Sequence, residues 1–161
     1  MDGARAALAD DAGVVFVRRD ITRPAEAGGE DHAPVSLAQF EAREAAGGYL
    51  LSWRAHELAY GIPIIVADQL AQGLTVVANV SRGVLDDARQ ATPAVRVISI
   101  GADRQILAQR LAARGREDEA AIAARLARAG AVAVAGDDVI EVWNDSTVEE
   151  GVARLLAAIR R

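Results

Sequence analysis

The segment from Arg110 to Arg128 reads R-L-A-A-R-G-R-E-D-E-A-A-I-A-A-R-L-A-R, two short helical stretches hinged at Gly115. Arg110 and Arg114 stand four apart and so share one helix face. Beyond the hinge, Arg125 and Arg128 stand three apart, opposite the apolar row Ile122, Leu126 and Ala129. Planar guanidinium forks bind phosphate oxygens in pairs, so a hinged group of them suits closure over a polyphosphate. A second group, Arg18, Arg19 and Arg23, leaves the apolar run Val14 to Val17 at what reads as the carboxyl end of a strand. An anion site is the functional expectation there; a solvated loop paired to Asp20 or Glu26 is the plainer one. Glu30 and His32, after the flexible Gly28-Gly29, could hold sugar hydroxyls or orient an arginine. Asn79, Ser81 and Arg82 end a strand with hydrogen-bonding groups suited to a polar ligand, and Ser52 and Tyr60 lie in a mixed aromatic and polar stretch. Asn144-Asp145 closes the last strand, where capping the next helix is as good a reading as ligand contact.

All 18 basic residues are arginine, so a Schiff base, a lysine general base and a phosphate-loop lysine are excluded from this chain. With no cysteine there is neither a disulfide nor a thiolate zinc site. His32 and His56 lack metal-ligand spacing, and no nucleophile elbow occurs, so no metal site and no serine triad are expected. The formal net charge of −5 argues against a general nucleic-acid binder. No apolar run approaches the roughly 20 residues of a membrane span, and the cytosol is the expected location. At 161 residues a single domain with a proper core is expected.

The elements that must carry these groups follow from periodicity. Apolar β-branched runs predict strands at Val14 to Val17, Tyr49 to Trp53, Leu74 to Val80, Val95 to Ile100 and Val139 to Trp143. Helical patterns predict helices over Asp2 to Ala9, Val35 to Ala46 with Ser36 as N-cap, Ile64 to Gln72, Asp103 to Ala113 and Val148 to Ile159. The polar, Gly-rich stretch Arg18 to His32 is expected to be loop. Alternation of this kind predicts an α/β domain with a mostly parallel sheet, whose ligands lie beyond the carboxyl ends of the strands.

In this order the motifs resemble the guanylate-kinase-like branch of the P-loop nucleoside monophosphate kinases. Ile21-Thr22-Arg23 is similar to the T-T-R element that grips the acceptor phosphate, and His32 takes the place of a phosphate-binding tyrosine. Tyr49 to Trp53 with Tyr60-Gly61 resembles the F-x-E-W … Y-Y-G segment. Arg110 to Arg114, continuing to Arg125-Leu126, resembles the mobile lid, and Asn144-Asp145 the N-D beside the adenine. The departures matter as much. Ser52 stands where a glutamate reads guanine, and Val77 to Gly83 lacks the second acidic base-reading contact. The set D-I-T-R-P, G-G-E-D-H, L-S-W-x-A-H, Y-G-I-P, N-x-S-R and R-L-x-x-R-G-R-E is similar to the ribose 1,5-bisphosphate phosphokinases of phosphonate degradation.

That resemblance implies a three-layer P-loop kinase-like domain over residues 1–161, with a helical lid at about 110–130. It implies ATP, with Mg²⁺ carried on it, and a phosphorylated sugar as acceptor. Arg23, with Arg19 second to it, would hold the acceptor phosphate; Glu30, His32, Ser52, Tyr60, Asn79, Ser81 and Arg82 complete the implied substrate set. Arg110, Arg114 and Arg125 would neutralise the transferring group. Arg110, Arg114 and Arg116 with Asn144 and Asp145 would hold the nucleotide. Oligomeric state is left open, a dimer included. A guanylate kinase, a non-catalytic guanylate-kinase-like module and a simple sugar-phosphate binder are the alternatives.

Such an enzyme opens with a strand and G-x-x-x-x-G-K-[ST], and neither is found in this chain. The expectation is a late-assigned start that omits roughly 15 to 25 residues, one strand and a phosphate loop. The 161 residues alone are then expected to show little or no kinase activity. Adding the upstream in-frame codons and assaying ATP-dependent formation of 5-phosphoribosyl diphosphate checks this; a well-folded but inactive extended protein counts against it.

Overall fold

The computed structural model describes residues 1–25, 30–92, 94–113, 123, 126 and 134–161. It divides into two compact units, Ala4–Val95 with Asp2, and Arg96–Arg161 with Met1 and Gly3.

In the first unit, α1 (Asp2–Ala7) leads into β1 (Val14–Phe16), which pairs in parallel with β6 (Thr75–Val77). Bonds from Thr75 N to Gly13 O and from Val17 N to Val77 O, each 2.9 Å, extend that pairing at both ends. The chain between these two strands forms a separate four-stranded sheet in the order β3-β2-β5-β4. It comprises β2 (Asp20–Ile21), β3 (Ala33–Pro34), β4 (Tyr49–Ala55) and β5 (Leu58–Pro63). β2 runs parallel to β3 and antiparallel to β5, and β4 and β5 form a hairpin.

Helix α2 (Leu37–Ala45) starts where its sequence says it must. Ser36 Oγ accepts from Gln39 N at 3.2 Å while Gln39 Oε1 accepts from Ser36 N at 2.8 Å, a complete capping box. The helix stops at Gly47, whose φ of +70° is open to glycine at little cost. Its apolar anchor is Phe40, fully buried and stacked on Tyr49 with ring centroids 4.7 Å apart. α3 (Ile65–Ala71) ends before Gly73, and α4 (Leu85–Ala91) follows a 3₁₀ turn at Arg82–Val84 that buries Val84.

In the second unit, β7 (Val97–Gly101) and β8 (Val139–Trp143) pair in parallel along their whole length. α5 (Arg104–Ala113) lies between them in the chain, and α6 (Val148–Ile159) packs on both strands through Leu155, Ala158 and Ile159. Thr147 caps α6, accepting from Glu150 N at 3.2 Å.

One expectation is corrected, and one strand falls where none was expected. The stretch Arg18 to His32 is not all loop: Asp20–Ile21 is a central strand, too short for any periodicity to show. Leu58–Pro63 is a strand as well, with both faces half-buried or buried, so it lacks the polar alternation that marks a strand in sequence. The resulting antiparallel sheet and helix α4 lie outside what the strand–helix alternation indicated. The lid segment from Arg114 onward lies outside the described residues, apart from positions 123 and 126.

Gly61 faces the Tyr49 ring so closely that a Cβ there would lie 2.4 Å from Tyr49 Cε1. Gly61→Ala must displace a ring held by Phe40 and Asp20, and is expected to destabilise the protein by about 1–3 kcal/mol. Urea unfolding checks this; an unchanged midpoint would remove Tyr49 from the packing argument.

Candidate functional site

A two-residue strand cannot be held by its ladder alone, and the residues from Arg19 to Arg23 are tied down one by one through their side chains. Arg19 is 7% exposed and forks onto Glu30, Nε to Oε1 at 2.9 Å and Nη2 to Oε2 at 2.7 Å. Glu30 Oε2 also accepts from Asn79 Nδ2 at 3.0 Å. The Arg19 guanidinium faces Trp53 and Tyr60, 5.6 and 5.2 Å from their ring centroids, and those rings are themselves stacked within 6° of parallel. Asp20, only 3% exposed, accepts from Arg43 Nη1 and from Tyr49 Oη at 2.8 Å. Burial, more than the bond to Asp20, pushes the Tyr49 phenol up to about 12. Thr22 Oγ1 accepts from Ala59 N at 2.8 Å.

Arg23 is the exception in this run. Among the described residues its Nε is buried without a hydrogen-bond partner, and Nη2 reaches only His32 Nδ1, at 3.4 Å. His32 is 4% exposed and pinned between backbone carbonyls, Nδ1 to Glu30 O at 3.0 Å and Nε2 to Arg23 O at 3.1 Å. A carbonyl only accepts, so Nδ1 cannot donate to Glu30 and accept from Arg23 at once. Arg23 lines a concavity of ≈ 690 Å³ whose other polar walls are Thr22, Ser36, Glu41, Arg54 and Glu57. Its volume is that of a small-molecule pocket.

On the α2 side of the sheet, Glu44 gathers three donors: Ser52 Oγ at 2.6 Å and Arg54 Nη1 and Nη2 at 2.9 and 2.7 Å. The hydrogen bonds from Arg54, then Ser52, hold its carboxyl near 2, at about 2 against an ordinary 4.5. The Arg54 guanidinium also lies 5.1 Å from the Phe40 ring centroid.

In the second unit two guanidinium groups clamp the loop after β8. Arg110 donates to Asn144 O at 2.5 Å and Ser146 O at 2.9 Å. Arg154 donates to Trp143 O at 2.5 Å and Asp145 Oδ1 at 2.6 Å, and holds the Asp145 carboxyl below its usual range. The Asn144 side chain lies against Gly151, where a Cβ would come within 2.6 Å of its Oδ1.

Of the residues expected at the site, Arg19, Glu30, Asn79 and Tyr60 are drawn into one cluster, and His32 and Arg23 into another that shares Glu30. Ser52 stands apart on the opposite strand face, its hydroxyl committed to Glu44. Ser81 and Arg82 open the 3₁₀ turn before α4. Arg110 meets Asn144 through its backbone, at the cost of two of its five donors. Arg114, Arg116 and Arg125 lie outside the described residues. Sequence reasoning missed Asp20, Arg43, Glu44 and Arg54, whose partners become neighbours only through the hairpin and α2, and Glu57, which the hairpin turn carries to the pocket wall. Among the described residues no group of three potential ligands could hold a metal ion, and no helix is long and apolar enough to cross a membrane.

The whole described chain superimposes on a known architecture. It matches the crystal structure of guanylate kinase from Anaplasma phagocytophilum with a TM-score of 0.71 at 17% identity, over 98% of this chain and 78% of that one. The fold is therefore guanylate-kinase-like. No family model matches the chain. Individual relatives do: it is 47% identical over 149 residues to ribose 1,5-bisphosphate phosphokinase PhnN of Rhizobium etli, covering 92% of this chain and 75% of that protein. It is 45% identical over 157 residues to the PhnN of Methylobacterium radiotolerans, covering 98% and 86%. The chain belongs to the ribose 1,5-bisphosphate phosphokinase family. It is also 45% identical over 160 residues to the bifunctional ribose 1,5-bisphosphokinase-thymidine phosphorylase of Cupriavidus necator, of which it spans 26%.

The Glu44 cluster carries a pH signature. A carboxylate lowered on folding contributes its full stabilisation above its ordinary 4.5 and loses it as pH falls through about 2. Stability followed by urea unfolding from about pH 5 downward is expected to fall more steeply for the native protein than for Glu44→Gln. Parallel curves would show that Arg54 and Ser52 do not hold the carboxylate in solution.

Proposed function

We propose that this chain supplies the acceptor site of a kinase that transfers the γ-phosphoryl group of ATP to ribose 1,5-bisphosphate. A new P–O bond forms between an oxygen of the anomeric phosphate and the γ-phosphorus, and the bond from γ-phosphorus to the β,γ-bridging oxygen breaks. The products are 5-phosphoribosyl diphosphate and ADP. Arg23 carries the reading: a guanidinium at a strand end, lining a pocket, with a buried N–H that no group among the described residues takes. Buried donors of that kind are ordinarily satisfied, and a phosphate oxygen is the acceptor that matches a guanidinium fork best.

The other arginines divide by commitment. Arg19 is spent on Glu30 and the aromatic pair, so its part is to hold Asn79 and the strand rather than to grip phosphate. Arg110 fixes the loop that carries Asn144 and Asp145, which would face the nucleotide. Arg114, Arg116 and Arg125 would close over the ATP phosphates, and in phosphoryl transfer such charge neutralisation and alignment dominate over covalent help. Mg²⁺ would enter with ATP. A single domain, working in the cytosol where ATP is supplied, completes the reading.

The relatives' names and the neighbour's fold support a kinase acting on a small phosphorylated molecule. Calorimetric binding tests the acceptor site directly in the chain. Ribose 1,5-bisphosphate is expected to bind, and Arg23→Ala to weaken it about 10- to 100-fold, the worth of one or two charge-assisted hydrogen bonds. Tighter binding of GMP than of the sugar bisphosphate would overturn the assignment in favour of a guanylate kinase.

A further inference from the structure

The hairpin between β4 and β5 turns on His56 and Glu57, with φ of +52° and +62°. Two-residue hairpin turns of this hand favour Asn-Gly, because residues with larger side chains resist the left-handed region. Neither position here holds glycine or asparagine. Strain of this sort persists where the rest of the structure, or a ligand, needs what the turn presents. What it presents is a charge: Glu57 lines the ≈ 690 Å³ concavity together with Arg23.

The pocket holds two carboxylates and two guanidinium groups, and only some of them are spoken for. Arg54 is forked onto Glu44, and the Glu41 charge acts on Arg54. Glu57 is solvent-exposed with no hydrogen-bond or ion-pair partner among the described residues, and Arg23 keeps an unpartnered Nε there. A pocket built for phosphate alone would be worsened by an unpaired carboxylate, which repels the ligand. A ligand that carries both a phosphate and hydroxyl groups satisfies both walls, since a hydroxyl donates to a carboxylate and the phosphate accepts from the guanidinium.

We propose that Glu57 is a specificity residue: its carboxylate accepts hydrogen bonds from the hydroxyls of a phosphorylated sugar whose phosphate is held by Arg23. The proposal rests on the acceptor reading above and adds the basis for choosing a polyol. A carboxylate that takes two vicinal hydroxyls rewards a ribose over a deoxysugar and over a bare phosphate.

Titration calorimetry on the whole chain, with inorganic phosphate, ribose 5-phosphate and 2-deoxyribose 5-phosphate as probes, tests it. The native protein is expected to prefer ribose 5-phosphate to either of the others by about tenfold. Glu57→Gln should weaken ribose 5-phosphate about fivefold while leaving inorganic phosphate unchanged or slightly tighter. Glu57→Gly relaxes the turn, so it should raise the thermal midpoint and still abolish the preference, which separates recognition from loss of fold. Equal losses for all three probes in Glu57→Gln, or an undiminished ribose preference in either variant, would overturn the role of Glu57 and leave Arg23 standing. Failure of the native protein to bind any of the three would overturn the acceptor site itself, and this inference with it.

Discussion

The four-stranded sheet of the first unit depends on a buried carboxylate. Asp20 sits on a central strand of two residues, and it is almost wholly removed from water. An ion so placed is tolerated only when donors surround it, and removing one partner of a buried pair typically costs about 3–5 kcal/mol. Arg43 comes from α2 and Tyr49 from β4, so satisfying Asp20 draws the helix and the far strand to β2. Arg43 is half exposed, which screens its share and leaves the Tyr49 hydroxyl as the better-shielded donor. Phe40 and Gly61 then matter because they let the Tyr49 ring lie flat at that distance.

From this anchor the alternation of a strand does the rest. Side chains on successive residues point to opposite faces, so Asp20 engages the α2 side while Arg19 meets Trp53 and Tyr60 on the other. The same alternation separates Ser52 from Trp53, which explains why two neighbouring residues of one motif serve different clusters. Thr22 ends the strand by capping a backbone N–H of β5, and Arg23 leaves it with donors to spare. The phosphate site proposed above is compatible with a net charge of −5, because among the described residues most neighbouring guanidinium groups are neutralised locally and Arg23 is not.

Much of the frame was legible from sequence. Ser36 with Gln39 three residues on is a capping signature, and α2 begins there; β8 and α6 fall on Val139–Trp143 and Val148–Ile159 as their patterns indicate. Local chemistry sets these boundaries, so local reading finds them. β2, β3 and β5 were hidden for the opposite reason. Two-residue strands have no period, and β5 is a run of mixed residues whose identity as a strand comes from pairing with β4. Arg23, Glu30 and His32 stand out in the sequence, with orienting an arginine one of two readings for Glu30 and His32, but which arginine each meets does not. That Glu30 serves Arg19 and Asn79, and that Arg110 serves a loop, are facts of three-dimensional neighbourhood with no sequence signature.

The loop after β8 shows the same economy in the second unit. The backbone carbonyls at this strand end lie beyond the β7–β8 ladder and need donors from elsewhere. Arg110 from α5 and Arg154 from α6 take the carbonyls of Trp143, Asn144 and Ser146 between them, so the main chain is fixed from two helices. Of the side chains there, Asp145 is held by Arg154 while the Asn144 amide rests against Gly151, a contact that any Cβ would forbid. Arginine is suited to this work because its fork reaches two acceptors at once, which a lysine ammonium does without the same directional hold. In a chain whose every basic residue is arginine, the distinction that matters is therefore between forks closed on the protein and forks left open. Arg19, Arg54, Arg110 and Arg154 are of the first kind, and among the described residues that line the pocket Arg23 is of the second. The anion recognition proposed above falls to the group whose donors folding has not already used.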